Sequence, residues 1–281
     1  SKGENDKAIE YYQKALIIAE ERDDKMGIGY GLLNIAAIFE YHISEEYDNV
    51  LEYNKRALAI FEELEHRRGI AISVYHIGHL NWSQCNYDKA REYYNQSLEI
   101  ALELNDKSMI SYFQLHFAEL YHSEGNYIEA KQYIELSYAI VEKLGDKERT
   151  FYTISYLGIN YYYSGNLFKA KEKLEQALVL QKGLEYYTED LLYTLIFLNL
   201  TYKSLNSNFD IEEINKIIEK SEKIEFESNY QLYQLLEDKS YLETAYNQVQ
   251  EKADNLEPDV AAKFLSYPIP KAIVEEWEKV K

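Results

Sequence analysis

Apolar and polar positions follow helical spacing along this chain, in blocks that return about every 40 residues. The marker of each block is a short polar string ahead of a small or branched residue. It reads Glu4-Asn5-Asp6-Lys7-Ala8, then Glu46-Tyr47-Asp48-Asn49-Val50 and Asn86-Tyr87-Asp88-Lys89-Ala90. It returns as Asn126-Tyr127-Ile128-Glu129-Ala130 and Asn166-Leu167-Phe168-Lys169-Ala170. The steps from Ala8 through Val50, Ala90, Ala130 and Ala170 are 42, 40, 40 and 40 residues. Such a period predicts a solenoid, because each block is one supersecondary unit that buries its apolar face only by stacking on the next.

Each block divides into two predicted helices. The first, such as Gly69 to Ser83 or Lys147 to Ser164, is rich in Tyr, Leu and Ile, and the second, such as Tyr87 to Leu104, mixes Lys, Glu and Tyr. Gly3, Gly125 and Gly165 stand at the turn between them, where a helix C-terminus often needs a left-handed residue. Glu45 and Cys85 replace that glycine in two blocks, so those turns are expected to adopt a conformation that a side chain tolerates. Two extra residues near His42 to Glu46 are expected to lengthen one of them. Small residues mark close helix contacts: Ala36, Gly78, Ala118 and Gly158 in first helices, and Ala57, Ser97, Ser137 and Ala177 in second helices.

At 100° per residue, Leu32, Ile35, Ala36 and Phe39 form one stripe of a first helix, as do Ile154, Leu157, Gly158 and Tyr161; these are predicted core. A separate arc carries Tyr30 and Tyr41 in one block, Tyr75, His79 and Trp82 in the next, and Tyr112, Glu119 and His122 in the third. It continues with Tyr152, Tyr162 and Tyr163, and then with Asn199, Tyr202 and Lys203.

The small-residue pairs, with Tyr121 and Tyr161 in first helices and Tyr47, Tyr87 and Tyr127 opening second helices, resemble the tetratricopeptide repeat over residues 1 to 206. The usual terminal proline is missing and about six residues are added, so longer helices are expected. The hinges Asp23-Asp24-Lys25, Asn105-Asp106-Lys107 and Gly145-Asp146-Lys147 are similar to those of extended repeats in bacterial regulatory proteins. The resemblance implies an all-α, α-α superhelix of antiparallel helix pairs. It would hold an orphan second helix at 4–22, units starting near 26, 67, 107 and 147, and a degenerate unit from 187. Residues 207–281 would supply a degenerate last helix, at 211–224, and a non-repeating helical C-terminal cap. Pro258 suits the first turn of a short helix, and Pro268 and Pro270 are expected to break the chain before a helix at 272–280. The resemblance also implies that the second arc lines the concave face.

Composition narrows the function. A formal charge of −19 on 281 residues argues against binding to nucleic acid backbones. No run of 18 apolar residues occurs, so no membrane insertion is expected. The single cysteine, Cys85, fits a reducing, cytoplasmic setting. The chain opens at Ser1 in mid-repeat, which reads as a fragment of a larger bacterial regulator.

Candidate chemistry is sparse. His79, Glu119 and His122 stand on successive first helices, and a His/carboxylate trio is a zinc or proton-transfer pattern. Only His76 and His79 are close in sequence, at i, i+3, and no metal motif surrounds them, so these are read as hydrogen-bonded groove residues with no metal, cofactor or catalytic role. The phosphate-binding and nucleophile-elbow strings are missing. With Lys203 the one cation of the arc, a clamp for a terminal carboxylate is disfavoured. The expected function is a non-catalytic scaffold holding a protein or peptide segment in an aromatic groove, apolar side chains facing the tyrosines and a basic residue meeting Glu40 or Glu119. The alternatives are a signalling-peptide receptor, or the sensory region of a kinase, cyclase or ATPase. On this reading, removing Tyr75 and Tyr112 weakens binding and spares the helices.

Overall fold

The 40-residue blocks fold as helix pairs. The computed structural model describes residues 2–42, 47–181, 189–221 and 223–281, with side chains over 7–39, 48–181, 191–221 and 223–281. Helix α1 (Lys2–Glu21) precedes the pairs α2 (Lys25–His42) and α3 (Tyr47–Glu63), α4 (Arg67–Ser83) and α5 (Tyr87–Glu103), and α6 (Lys107–Ser123) and α7 (Tyr127–Leu144). Then come α8 (Lys147–Tyr163) and α9 (Leu167–Gln181), α10 (Glu189–Ser204) and α11 (Glu212–Ile218), and α12 (Phe226–Leu236) and α13 (Lys239–Asp254). Helices α14 (Pro258–Ser266) and α15 (Pro268–Val280) end the chain, and no strand occurs among the described residues. The expected start near 187 and the turn around Glu45 lie outside the described residues.

Small residues set the spacing within pairs. Val50, Ala90, Ala130 and Ala170, and also Ala57, Ser97, Ser137 and Ala177, are buried. Gly158 shows how little room remains: a Cβ there would lie 2.6 Å from Leu174 Cγ and 3.1 Å from the Leu174 backbone nitrogen. The predicted core stripe holds, with Leu32, Ile35, Ala36, Ile154, Leu157 and Tyr161 buried and Phe39 half-buried.

Among the described residues, left-handed residues recur at the ends of both kinds of helix. Cys85, Gly125, Gly165 and Asn206 end first helices, and Asp23, Glu65, Asn105 and Gly145 end second helices, with φ between 50° and 79°. Cys85 therefore departs from expectation, since it keeps the left-handed form at φ 57° despite its side chain. The reason is hydrogen bonding. Cys85 N donates to Trp82 O and Asn86 N to Asn81 O, both at 2.8 Å, the same two bonds that Gly125 and Asn126 make to His122 and Tyr121. Closing these carbonyls outweighs a conformational cost on the order of 1 kcal/mol. Gly3, expected in a turn, falls inside α1. The next helix then starts on a side-chain cap: Asp24, Asp106 and Asp146 each accept from the backbone N–H three residues on, at 3.0 to 3.1 Å, and His66 Nδ1 accepts from Gly69 N.

Contacts gather the chain into two compact units, Ser1–Phe113 and Gln114–Lys281, divided within α6. The sequence change at 206/207 is not the contact boundary, because α12 packs on α10 and its Leu232 and Leu235 join the core cluster of α8 and α10. Residues 226–254, read as part of a non-repeating cap, form a further packed pair. Helix α11 is shorter than the 211–224 expected. Ile224, six residues beyond Ile218, leaves the apolar register, and its carbonyl accepts from Asn229 Nδ2 (2.7 Å) and Gln248 Nε2 (2.8 Å) instead of from a helix. Pro268 and Pro270 also differ from expectation. They lie within α15, in the first turn, where a helix needs no backbone N–H from them. Among the described residues no helix is long and apolar enough to cross a membrane.

Replacing Gly158 by Ala is expected to destabilise the protein by about 1–3 kcal/mol despite the better helix propensity of Ala, because Leu174 is fully buried and cannot retreat. Urea unfolding of the variant checks this, and an unchanged or higher midpoint would contradict it.

Candidate functional site

The second arc is not a solvated face: among its described side chains none is exposed. In the first unit Tyr75, only 2% exposed, is a packing residue. Its ring stacks on Tyr94 (5.7 Å between centroids) and Phe113 (5.1 Å), meets Tyr112 edge-on at 5.1 Å, and shares a 3.1 Å hydroxyl–hydroxyl bond with Tyr112. The expectation that Tyr75 offers contact area to a partner is therefore corrected. Helices α4, α5 and α6 approach closely enough for their aromatic rings to fill the space between them. Tyr112, His79 and Trp82 stay half-buried at this face, with His79 lying 5.2 Å from Trp82. The Trp82 indole N–H is buried without an acceptor. Tyr30 packs edge-on against Phe61 at 5.0 Å, and the Tyr41 side chain lies outside the described residues.

In the second unit the arc turns toward α12. Glu227 Oε1 accepts the Tyr193 hydroxyl at 2.6 Å and the Tyr163 hydroxyl at 3.5 Å, and it lies 4.0 Å from His122 Nε2. One turn along α12, Gln231 Nε2 donates to the Tyr163 hydroxyl at 2.9 Å. Tyr163 also stacks on Tyr127 (5.1 Å) and meets His122 edge-on (4.8 Å). Lys203 Nζ donates to the Gln234 and Leu235 carbonyls (2.9 and 3.1 Å) and to Glu237 (2.8 Å), capping the C-terminus of α12. Asn199 is buried and donates to Leu195 O within its own helix, while Tyr202 bonds Glu175 on α9. Tyr152 is half-buried against Phe151 at 5.4 Å.

Sequence reasoning missed Glu227, Tyr193 and Gln231. The i, i+4 spacing of Glu227 and Gln231 was visible, but nothing local says that their helix meets α8. Burial pushes the Glu227 carboxyl up, against the pull of the Tyr193 and Tyr163 hydroxyls. Burial also lowers His122 to about 4, against the opposing charge of Glu119, and raises Tyr127 to about 12, helped by Glu227. The expected His/Glu/His trio has separate neighbours: Glu119 bonds His116 at 2.7 Å, His122 lies against the tyrosines, and His79 lies against Tyr75 and Trp82. Among the described residues no three His, Cys, Asp or Glu side chains converge as a metal site.

Beside this cluster lies a cleft of about 460 Å³. Tyr127, Tyr162, Tyr163, Tyr230, Gln231 and Gln234 form its aromatic and polar wall, and the start of α15 its apolar one. Gly125 permits that closure. It is left-handed at φ 79°, and a Cβ there would stand 2.5 Å from Pro268 Cγ.

Two outcomes follow from this geometry. Tyr75→Ala is expected to cost about 3–5 kcal/mol of stability, as for a buried aromatic, readable as a large fall in urea midpoint. His122, with a folded pKa of about 4 against 6.5 unfolded, is neutral in both states above about pH 6.5; as pH falls toward 4 the unfolded chain takes a proton that the folded chain refuses, and stability is lost. Glu227, shifted up, acts in the opposite sense, since the folded state takes its proton first. His122→Gln should therefore lose roughly 3 kcal/mol less than the unaltered protein between pH 7 and pH 4, and parallel losses in the two proteins would contradict the assignment.

The chain resembles known proteins in sequence pattern and fold. Tetratricopeptide-repeat models match residues 31–103 and 110–182, and a second one matches residues 1–26. No curated protein matches the chain in sequence. Among solved structures, a Rap protein complexed with competence and sporulation factor is similar at 19% identity over 100% of this chain and 73% of that one, with a TM-score of 0.65. BtubC (BKLC) from P. vanneervenii is similar at 18% identity over 77% of this chain and 89% of that one, TM-score 0.62. The Rap conjugation gene regulator of the plasmid pLS20, in complex with the Phr* peptide, is similar at 12% identity over 93% and 78%, TM-score 0.63. These likenesses are of fold. With the repeat models covering more than half of its length, the chain belongs to the tetratricopeptide-repeat family.

Proposed function

We propose that this protein is a non-catalytic scaffold that binds a protein or peptide segment on the inner arc of its first helices. The observation that carries the reading is the cleft beside Tyr162 and Tyr163, whose volume of about 460 Å³ suits one or two side chains of a bound segment. Half-buried aromatics with polar tips support it, since they offer rigid contact area at little entropic cost. In the first unit, the buried indole N–H of Trp82, a donor left without an acceptor, supports it as well. Two of the similar structures are named as complexes with a factor or a peptide, and the shared fold makes the same use reasonable here. Tyr75 and Asn199 belong to the packing, whereas Tyr162 and Tyr163 are the contact residues at the cleft of the second unit, and Tyr112, His79 and Trp82 are those offered by the first unit by itself.

A random peptide-display library panned against the full chain tests the proposal. Enriched peptides should bind at least about tenfold more weakly to Tyr162→Ala or Tyr112→Ala. They should bind equally well to Phe168→Ala, at an outer residue that is 78% exposed. Circular dichroism confirms that the variants fold. Peptides insensitive to both inner substitutions would defeat the reading.

A further inference from the structure

Among the described residues, the cleft of the second unit is lined by aromatic, amide, hydroxyl and apolar side chains, with no Asp or Glu among them. No Lys, Arg or His side chain lines it. Lys203, the nearby cation of the arc, spends its protons on the Gln234 and Leu235 carbonyls and on Glu237. An anionic ligand would find no counter-charge there. Behind the Tyr163 wall stands Glu227, whose carboxyl burial pushes up while the Tyr193 and Tyr163 hydroxyls favour its ionised form. Its closest basic group is His122, at 4.0 Å, which burial keeps neutral at neutral pH.

Gln231 adds a directional requirement. The Tyr163 hydroxyl donates to Glu227 Oε1 at 3.5 Å and accepts from Gln231 Nε2 at 2.9 Å. In this arrangement the Gln231 amide presents Nε2 to Tyr163. This leaves Oε1, on a residue that lines the cleft, buried and without a hydrogen-bond partner. A buried acceptor without a donor costs on the order of 1–3 kcal/mol, and a ligand N–H would recover part of it. Phenol faces attract cations, and the chain's net charge of −19 raises their local concentration.

We infer that the cleft binds an organic cation bearing N–H donors, an ammonium or guanidinium group, near Glu227 and Gln231. This deepens the peptide-binding proposal and rests on it, for the cation belongs either to a basic side chain of the bound segment or to a free amine of the same chemistry. A quaternary ammonium carries the charge without the donor and is the discriminating control.

Isothermal titration of the full chain with agmatine, tetramethylammonium, 4-guanidinobenzoate and N-acetyl-arginine amide tests the inference. Agmatine should bind saturably, with tetramethylammonium and the carboxylate-bearing probe at least about tenfold weaker. N-acetyl-arginine amide binding more tightly than agmatine assigns the cation to a peptide side chain, and the reverse order assigns it to a free amine. Gln231→Leu and Glu227→Gln should each weaken agmatine by about tenfold, with thermal melts confirming the fold. Because the ranking of ligands is read on the unaltered protein, misfolding of a variant leaves the test intact. Absence of agmatine binding, or equal affinity for agmatine and tetramethylammonium, overturns the inference. If agmatine fails while display peptides still bind in a manner dependent on Tyr162, only the cation assignment falls; if both fail, the scaffold reading falls as well.

Discussion

Close approach of paired helices at small residues is the constraint on which this molecule depends. Where Gly158 meets Leu174 there is no space for a methyl group, and Ala90, Ala130 and Ala170 stand fully buried at equivalent places in second helices. Packing at this distance fixes the angle within each pair, so an error at one contact would be copied into every neighbour of a stack. The left-handed residues at the described helix ends serve the same purpose. They close helix carbonyls in a fixed geometry and hand the chain to the next cap, whether the residue is Gly125 or Cys85.

That tight spacing has a consequence for the inner arc. Helices of 16 to 18 residues carry aromatic rings inward, and neighbouring helices are near enough to fill the space with them. Tyr75 is consumed in this way by Tyr94, Tyr112 and Phe113. In the second unit the same crowding brings α12 against α8 and α10, and a carboxylate from α12 is satisfied by tyrosines of the repeats. In the second unit a cleft remains beside Tyr162 and Tyr163. Its chemistry is set by groups more than 60 residues apart in the chain, such as Tyr163 and Gln231.

Much of the fold was legible in the sequence. The spacing of Ala8, Val50, Ala90, Ala130 and Ala170 located the helix pairs, and the stripe through Leu32, Ile35 and Ala36 located the core, because helical periodicity and burial are written locally. The ends were less legible. The expected helix at 211–224 stopped at Ile218 when the Ile224 carbonyl was captured by Asn229 and Gln248. Pro268 and Pro270 entered a first turn where their missing N–H groups cost nothing.

By itself the sequence determined the period, the pairing of helices, the hinges and which residues share the second arc of each first helix, since each follows from spacing along one helix. Tertiary structure alone decided which of those residues remain accessible, that residues 226–254 form another pair, and that Glu227 and Gln231 face Tyr163. Those outcomes depend on how far successive helix pairs rotate, a small angle at each contact that accumulates over a stack. No single block encodes the sum.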